Sequence, residues 1–397
     1  MMSKLEKNVI YMDYAATTPV RPEVIMAMAP YFEAAFGNPS SVHAIGRRAK
    51  SALDNAREDI TKILGCDEQE LYFTSGGTES DNLAIFGVVR AAKRKGEGGL
   101  PHIITTRLEH SAVLAAIKEL EDNSEVTVTY LPVLPSGLVA LEDVEKAIRP
   151  ETILVSVIYV SNEIGTVQPI QKIGEKIKEI NSTRGSTIVF HTDAVQAPEY
   201  FSLKTNELNV DLMSLSAHKF GGPKGVGLLY VKRGIDLLPL MFGGGQELGM
   251  RPGTENVAGI VGMANALTIV SRNFWKGKAE KVASLKAYFE KSLTSKLPDI
   301  MIVGKDTLRS PGISSVVFPN WDSVSVVINL DLVNICVSSG AACSSGSQEK
   351  SEVMRAIDLQ SPYDGGAIRF CFNDLLTENS IDVVIEKVFE IISRGKK

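Results

Sequence analysis

Ser214-Leu-Ser-Ala-His-Lys-Phe-Gly-Gly-Pro-Lys-Gly225 is the stretch on which the reading of this chain turns. A short apolar strand runs into it and a Gly-rich turn follows, so the Lys219 amine is presented where little else can cover it. Lys224, five residues on, follows Pro223 inside the turn and reads as surface. Upstream, Val189-Phe-His-Thr-Asp-Ala-Val-Gln196 ends a second apolar strand with Asp193 and Gln196 at its mouth. Two readings are open for this pair of strand ends. Lys219 and Asp193 are ordinary loop residues, or they are the two groups that pyridoxal phosphate chemistry requires. In that chemistry the lysine forms the Schiff base and the aspartate keeps the ring nitrogen protonated.

Short apolar strands alternate with helical stretches over residues 65–235, the pattern of βαβ units and a mostly parallel sheet. Strands are expected over 71–74, 103–106, 126–133, 153–160, 187–191, 212–215 and 226–231, with helices such as 80–95 and 112–121 between them. Val42, Ile45, Ala49, Ala52, Ala56, Ile60 and Ile63 mark one face of a long helix before the sheet. One helix is expected over 257–293, crossing toward a second region. There, strands over 300–303, 313–318, 335–338 and 368–372 mix with helices over 324–330 and 381–391. The expected fold class is α/β. A large domain over 15–260 carries a mostly parallel mixed sheet flanked by helices; a smaller α+β domain is formed by 1–14 and 261–397.

At 397 residues the chain exceeds the usual single-core limit. Hydrophobic content of 44% and charged content of 22% describe an ordinary globular protein. A net charge of −5 argues against a nucleic-acid surface. No apolar run reaches the length of a membrane span, and no export or transit segment is visible. Cys66, Cys336, Cys343 and Cys371 show no CxxC spacing, so neither a metal site nor a disulfide framework is indicated. The reading is a protein of a reducing compartment, placed in the cytoplasm.

Four further segments carry chemistry. Phe73-Thr-Ser-Gly-Gly-Thr-Glu-Ser-Asp-Asn82 follows a strand and opens a helix. Gly76 and Gly77 allow close backbone approach, and Thr78 adds a hydroxyl at the helix start, which together make an anion site. His110 ends the strand 103–106, where a histidine is either structural or a proton carrier. Arg369 sits on a strand, where a buried guanidinium needs an anion: a protein carboxylate or a bound one. Cys343 lies in Val337-Ser-Ser-Gly-Ala-Ala-Cys-Ser-Ser-Gly-Ser347, small residues that cannot pack a core, and the loop over about 338–350 reads as mobile. A free thiol near pKa 8.5 is only about 3% thiolate at neutral pH, so a reactive Cys343 needs activation. From composition alone it is equally an inert loop cysteine.

Taken together, Asp193-x-x-Gln196, Ser-x-His218-Lys219 and Ile10-Tyr-Met-Asp-Tyr-Ala-Ala-Thr-Thr-Pro19 resemble the class V aminotransferase group of fold type I pyridoxal phosphate enzymes. Within that group, Ser-Gly-x-Ala-Cys343-x-Ser resembles the long-loop cysteine desulfurases that supply sulfur for iron–sulfur clusters. The likeness spans nearly the whole chain, from Ile10 to Arg369. It implies a phosphate cup of Gly77, Thr78, Ser216 and His218, completed by Thr254 from a partner subunit, hence a homodimer. It also implies that His110 stacks on the cofactor ring, that Gln196 and Asn162 contact its phenolic side, and that Arg369 and Asn162 hold the carboxylate of L-cysteine. Cys343 takes the substrate sulfur as a persulfide for a sulfur-acceptor protein, a cluster scaffold or a thiolation relay. Leu248, often Arg in relatives, and Phe370-Cys371-Phe372-Asn373-Asp374 depart from the pattern, and Ser161 stands where many relatives carry Asn. The stretch after Arg369 is shorter than the tail by which some relatives dock a scaffold. A selenocysteine lyase, a class V aminotransferase and a non-catalytic assembly protein are the alternatives.

Overall fold

The computed structural model describes residues 9–96, 99–271, 275–339 and 351–394. Along the chain run β1 (Ile10–Tyr11), α1 (Pro22–Met28), α2 (Ala44–Leu64), β2 (Leu71–Thr74), α3 (Gly77–Lys95), β3 (His102–Thr106), α4 (Ser111–Asp122) and β4 (Thr127–Leu131). Then follow α5 (Leu141–Ala147), β5 (Thr152–Ser156), α6 (Ile170–Thr183), β6 (Val189–Asp193), α7 (Thr205–Leu208), β7 (Leu212–Ser216) and β8 (Gly227–Val231). The remainder comprises α8 (Val257–Ser271), α9 (Trp275–Lys296), β9 (Met301–Ile302), β10 (Ile313–Val317), α10 (Ser323–Asp331), β11 (Ile335–Cys336), α11 (Glu352–Ala356), β12 (Ala367–Cys371) and α12 (Glu378–Arg394).

Seven strands form the main sheet in the order β2-β8-β7-β6-β5-β3-β4. Strands β4, β3, β5, β6 and β7 run parallel, and β8 is antiparallel to both of its neighbours. Successive strand residues divide between two cores, as a period of two requires. Ile103, Leu154, Val189, Leu212 and Leu229 pack with α3 and α4 on one face. Ile104, Val155, Phe190, Met213 and Leu228 pack with α2, α6 and α8 on the other. This α/β layering, with both sheet faces covered, is the class the strand runs predicted.

A separate core gathers around the antiparallel sheet β12-β10-β9. It holds Phe289 of α9, Phe370 of β12 and Val384 of α12, together with Met12 from the N-terminal segment. Strand β1 reaches the same region by pairing in parallel with β11. The apolar residues of α8 belong to the first core and those of α9 to this one. The expected single helix over 257–293 is therefore two described helices, with 272–274 outside the described residues. Helix α2 also departs from its predicted face. Ala49, Ala52, Ala56 and Ile60 are buried, but Val42 precedes the helix and is 89% exposed.

Candidate active site

Six strands, β2, β3, β4, β5, β6 and β7, point their carboxyl ends to one edge of the large sheet, the usual place for ligands in such sheets. Strand β2 turns into α3 through Ser75-Gly76-Gly77. Gly76 provides no side-chain cap, so the first-turn N–H groups, which lack intrahelical acceptors, face the opening with the helix dipole behind them. Close approach is built in here. A Cβ on Gly227 would meet the Cα of Gly76 at 2.6 Å, and one on Gly77 would meet Val195 at 2.9 Å. The turn therefore lies against β8 and the end of β6. Glu79, in the first turn of α3, is neutralised by Arg251 Nε at 2.9 Å and accepts from the Ser75 N–H.

From the end of β7 the chain makes a 3-10 turn over Ala217–Lys219. Lys219 Nζ donates to the carbonyls of Ala15 and Ala16 at 2.8 and 2.9 Å. Gln196 Nε2 donates to the same Ala15 carbonyl at 2.9 Å. His218 Nδ1 lies 3.1 Å from the Thr17 hydroxyl, and burial, then the Lys219 charge, pushes its pKa down to about 4. Neutral at physiological pH, it can serve an anion only through hydrogen bonding. Ser216 is buried beside it. The N-terminal motif 10–19 thus forms a wall of the site, and its carbonyls hold the lysine.

Asp193 closes β6, 4% exposed, with Oδ1 accepting from the Val195 N–H at 2.9 Å. Burial raises its pKa, and the charges of His110 and Lys219 oppose that rise. His110 caps α4, its Nδ1 accepting from the Ala112 N–H at 3.1 Å. When neutral, its hydrogen is therefore on Nε2. His110, Asp193 and Asp81 each bring one nitrogen or oxygen within 4.8 Å of the others. Sequence reading missed Asp81, which lies on α3 and reaches the same point from beyond the carboxyl end of β2.

Arg369 is 3% exposed on β12. Its Nη1 donates to the Asn162 carbonyl and its Nη2 to Asp13 Oδ1, both at 2.7 Å, while Nε is buried without a partner. A protein carboxylate and a donor without an acceptor are thus both present. Glu163 lies close enough to feel the Arg369 and His110 charges, and burial raises its pKa. Asp13 is a second residue the sequence reading missed, although it stands inside a motif that was singled out. Its signal was an acid in an otherwise apolar and hydroxyl-bearing stretch. Cys371 is buried, and its Sγ accepts from the Ala15 N–H at 3.4 Å.

The structure brings together Lys219, His218, Ser216, Asp193, Gln196, Gly77, His110, Asn162 and Arg369. Thr78 is exposed at the start of α3. Thr254 is exposed before α8, and among the described residues none of the contacts joining the others reaches it. Cys343 lies outside the described residues.

These groups suit pyridoxal phosphate. The α3 N-terminus offers its first-turn N–H groups to an anion, Lys219 supplies an amine, and buried Asp193 calls for a cation such as a protonated ring nitrogen. Sheet and site together define a pyridoxal phosphate enzyme of fold type I. Comparison with known proteins carries the assignment further. The profile of the aminotransferase class-V family matches residues 10–384. A protein of Dictyoglomus turgidum named cysteine desulfurase IscS is 42% identical over 388 residues, covering 98% of this chain and 95% of that one. One of the same name from Methanosarcina thermophila is 42% identical over 389 residues, covering 98% and 93%. A solved NifS-like protein superposes with a TM-score of 0.87 at 34% identity, covering 97% of this chain and 99% of that one. A structure described as SspA in complex with cysteine gives 0.78 at 36% identity, covering 91% and 98%. The chain belongs to the aminotransferase class-V family and, within it, to the cysteine desulfurases. Membership implies pyridoxal phosphate as cofactor.

Proposed function

We propose that this protein removes sulfur from L-cysteine, giving L-alanine and a persulfide on Cys343. The observation that carries the reading is the convergence of the Lys219 amine, the buried Asp193 carboxylate and the buried Arg369 guanidinium on one sheet edge. Names of relatives that cover nearly the whole chain support the same activity.

The cofactor, when bound, supplies an electron sink for the bonds at the substrate Cα and Cβ. Gly77, Thr78, Ser216 and His218 would hold its phosphate, Asp193 its ring nitrogen, and Gln196 and Asn162 its phenolic side. Arg369 and Asn162 hold the substrate carboxylate. Arg369 Nε, buried without a partner, is a donor that this carboxylate would satisfy. Lys219 takes the Cα proton and returns it, and the Ala15 and Ala16 carbonyls steady its amine between transfers. His110, with Nε2–H directed away from its cap, is a second proton carrier. Cys343 thiolate then attacks the substrate sulfur. An S–S bond forms as the Cβ–S bond breaks, its electron pair stays with carbon, and protonation gives alanine. L-cysteine and one thiol thus become L-alanine and one persulfide.

The sulfur leaves on Cys343 for an acceptor protein, of which an iron–sulfur scaffold is one form. The active form is a homodimer in which Thr254 completes the neighbour's phosphate site. Supporting this, Met26, Phe32, Phe36 and Phe242 are each more than 65% exposed on a single chain. Sedimentation at the single-chain mass of 43.0 kDa would contradict it. The reading is of a cytoplasmic protein: Cys66, Cys336 and Cys371 are unpaired thiols, and no described helix is long and apolar enough to cross a membrane. Recovery of the native protein from an exported fraction would contradict that placement.

Product analysis tests the activity. Wild type is expected to convert L-cysteine to alanine, and Cys343→Ser to lose most of that rate. Pyruvate and ammonia in place of alanine, or amino transfer to a keto acid, would show a different enzyme of the family.

A further inference from the structure

Three carboxyl groups, not one, are buried behind the proposed ring site. Asp81 is 1% exposed, Glu109 3% and Asp193 4%. Asp81 comes within 4.8 Å of Asp193, and both Asp81 and Glu109 feel its charge. Two of the three have an oxygen that meets no donor: Asp81 Oδ1 and Glu109 Oε2. Three anions packed this closely, with so few donors, cannot all persist in a dry site.

The surrounding groups single out Asp193 as the charged one. His110 and the Lys219 amine both stabilise its negative form. Asp81 faces Asp193, Glu109, the Ser214 hydroxyl, His191, whose Nε2 is 3.6 Å away, and His110, whose charge acts on Asp193. His191 offers no cation. It is fully buried, bonded through both ring nitrogens to Ser156 and Ser214 at 2.9 and 3.1 Å, and pushed by burial down to about 3. Glu109 Oε1 accepts from the Thr106 hydroxyl and the Ile158 N–H, at 2.8 and 2.9 Å. Even so, burial pushes its pKa up to about 8, and burial holds that of Asp81 well above the usual carboxylate range.

We propose that Asp81 and Glu109 are charge-setting positioning residues, both held as neutral acids, so that Asp193 is the single anion offered to the cofactor ring nitrogen. The ring-nitrogen half of this rests on the function proposed above; the protonation of the two acids does not.

Each acid is read first by infrared spectroscopy of the cofactor-free and loaded protein near neutral pH. Wild type should show the C=O stretch of protonated carboxyls, with one band lost in Asp81→Asn and another in Glu109→Gln. If a variant fails to fold, carboxyl-¹³C aspartate or glutamate in the wild type moves the same band without mutation. Thermal melting then reads the sign. An acid whose pKa is raised by folding contributes full stability below its unfolded value and loses it as pH climbs toward the folded one. Glu109→Gln should therefore gain on wild type by a few degrees between about pH 4.5 and about pH 8 and hold a constant margin above that. Asp81→Asn should gain likewise, starting near pH 3.8.

An absent band, or variants that melt below wild type by a margin widening with pH, would show paired carboxylates and overturn the proposal. Nitrogen-15 resonances of labelled pyridoxal phosphate separate the two layers. A protonated ring nitrogen should survive in Asp81→Asn and be lost in Asp193→Asn. Loss in Asp81→Asn would overturn the charge-setting role. Retention in Asp193→Asn would instead remove the ring assignment, and with it the single-anion claim, while the infrared bands still reported the acids.

Discussion

Lys219→Ala should leave a folded protein that releases pyridoxal phosphate on dialysis and forms alanine at least about 10³-fold more slowly. Two losses combine. The covalent tether disappears, and so does the group that carries the Cα proton, a role worth about 10²–10⁴-fold on its own. Stability should change little. The amine makes two hydrogen bonds to the Ala15 and Ala16 carbonyls, each worth about 1 kcal/mol net. The checks are cofactor absorbance after dialysis, alanine formation and melting temperature. Activity within about tenfold of wild type, with cofactor retained, would remove Lys219 from the mechanism.

Arg369→Lys should fall by roughly 100-fold in kcat/KM for L-cysteine, mostly through KM. The guanidinium divides its donors: Nη1 holds the Asn162 carbonyl, Nη2 holds Asp13, and Nε remains for a further acceptor. An ammonium is a single point on a flexible stem and cannot keep all three directions. Losing one or two charge-assisted bonds to a carboxylate amounts to about 3 kcal/mol, which is that factor in affinity. Steady-state kinetics with L-cysteine read the split. An unchanged KM would mean that Asp13 is the whole purpose of Arg369 and that the substrate carboxylate sits elsewhere.

Much of the large sheet was legible because its strands are buried on both faces. Runs such as Val189–Asp193 and Leu212–Ser216 are buried at every residue, and Val189, Phe190, Leu212, Met213 and Leu215 give them their apolar signal. Strand ends were harder to read. The apolar run expected as a strand over 153–160 is regular only as far as Ser156, although the Val157 and Tyr159 N–H groups still donate to the His191 and Asp193 carbonyls of β6. Strand β1 has two residues, too few to show any alternation, and its pairing with β11 is a long-range event. Val42 looked like core because its spacing suits helix α2, yet it precedes the helix.

At the site, residues marked by chemistry out of place were found: a lysine before a Gly-rich turn, an aspartate closing an apolar strand. Asp81 and Glu109 were missed because each sits beside a residue that explains its motif, Thr78 in one case and His110 in the other. Their meaning depends on burial, which no local pattern in the sequence displays. Asp13 became visible only through its contact with Arg369, 356 residues away.

Single-turnover reaction with ³⁵S-labelled L-cysteine, alanine being assayed in parallel, tests the central claim most directly. Wild type should carry label on Cys343 in an amount matching the alanine formed, and the label should be released by a reductant that cleaves persulfides. Cys343→Ala should carry none. A yellow wild-type protein that binds cysteine yet forms no alanine and holds no label would contradict the account.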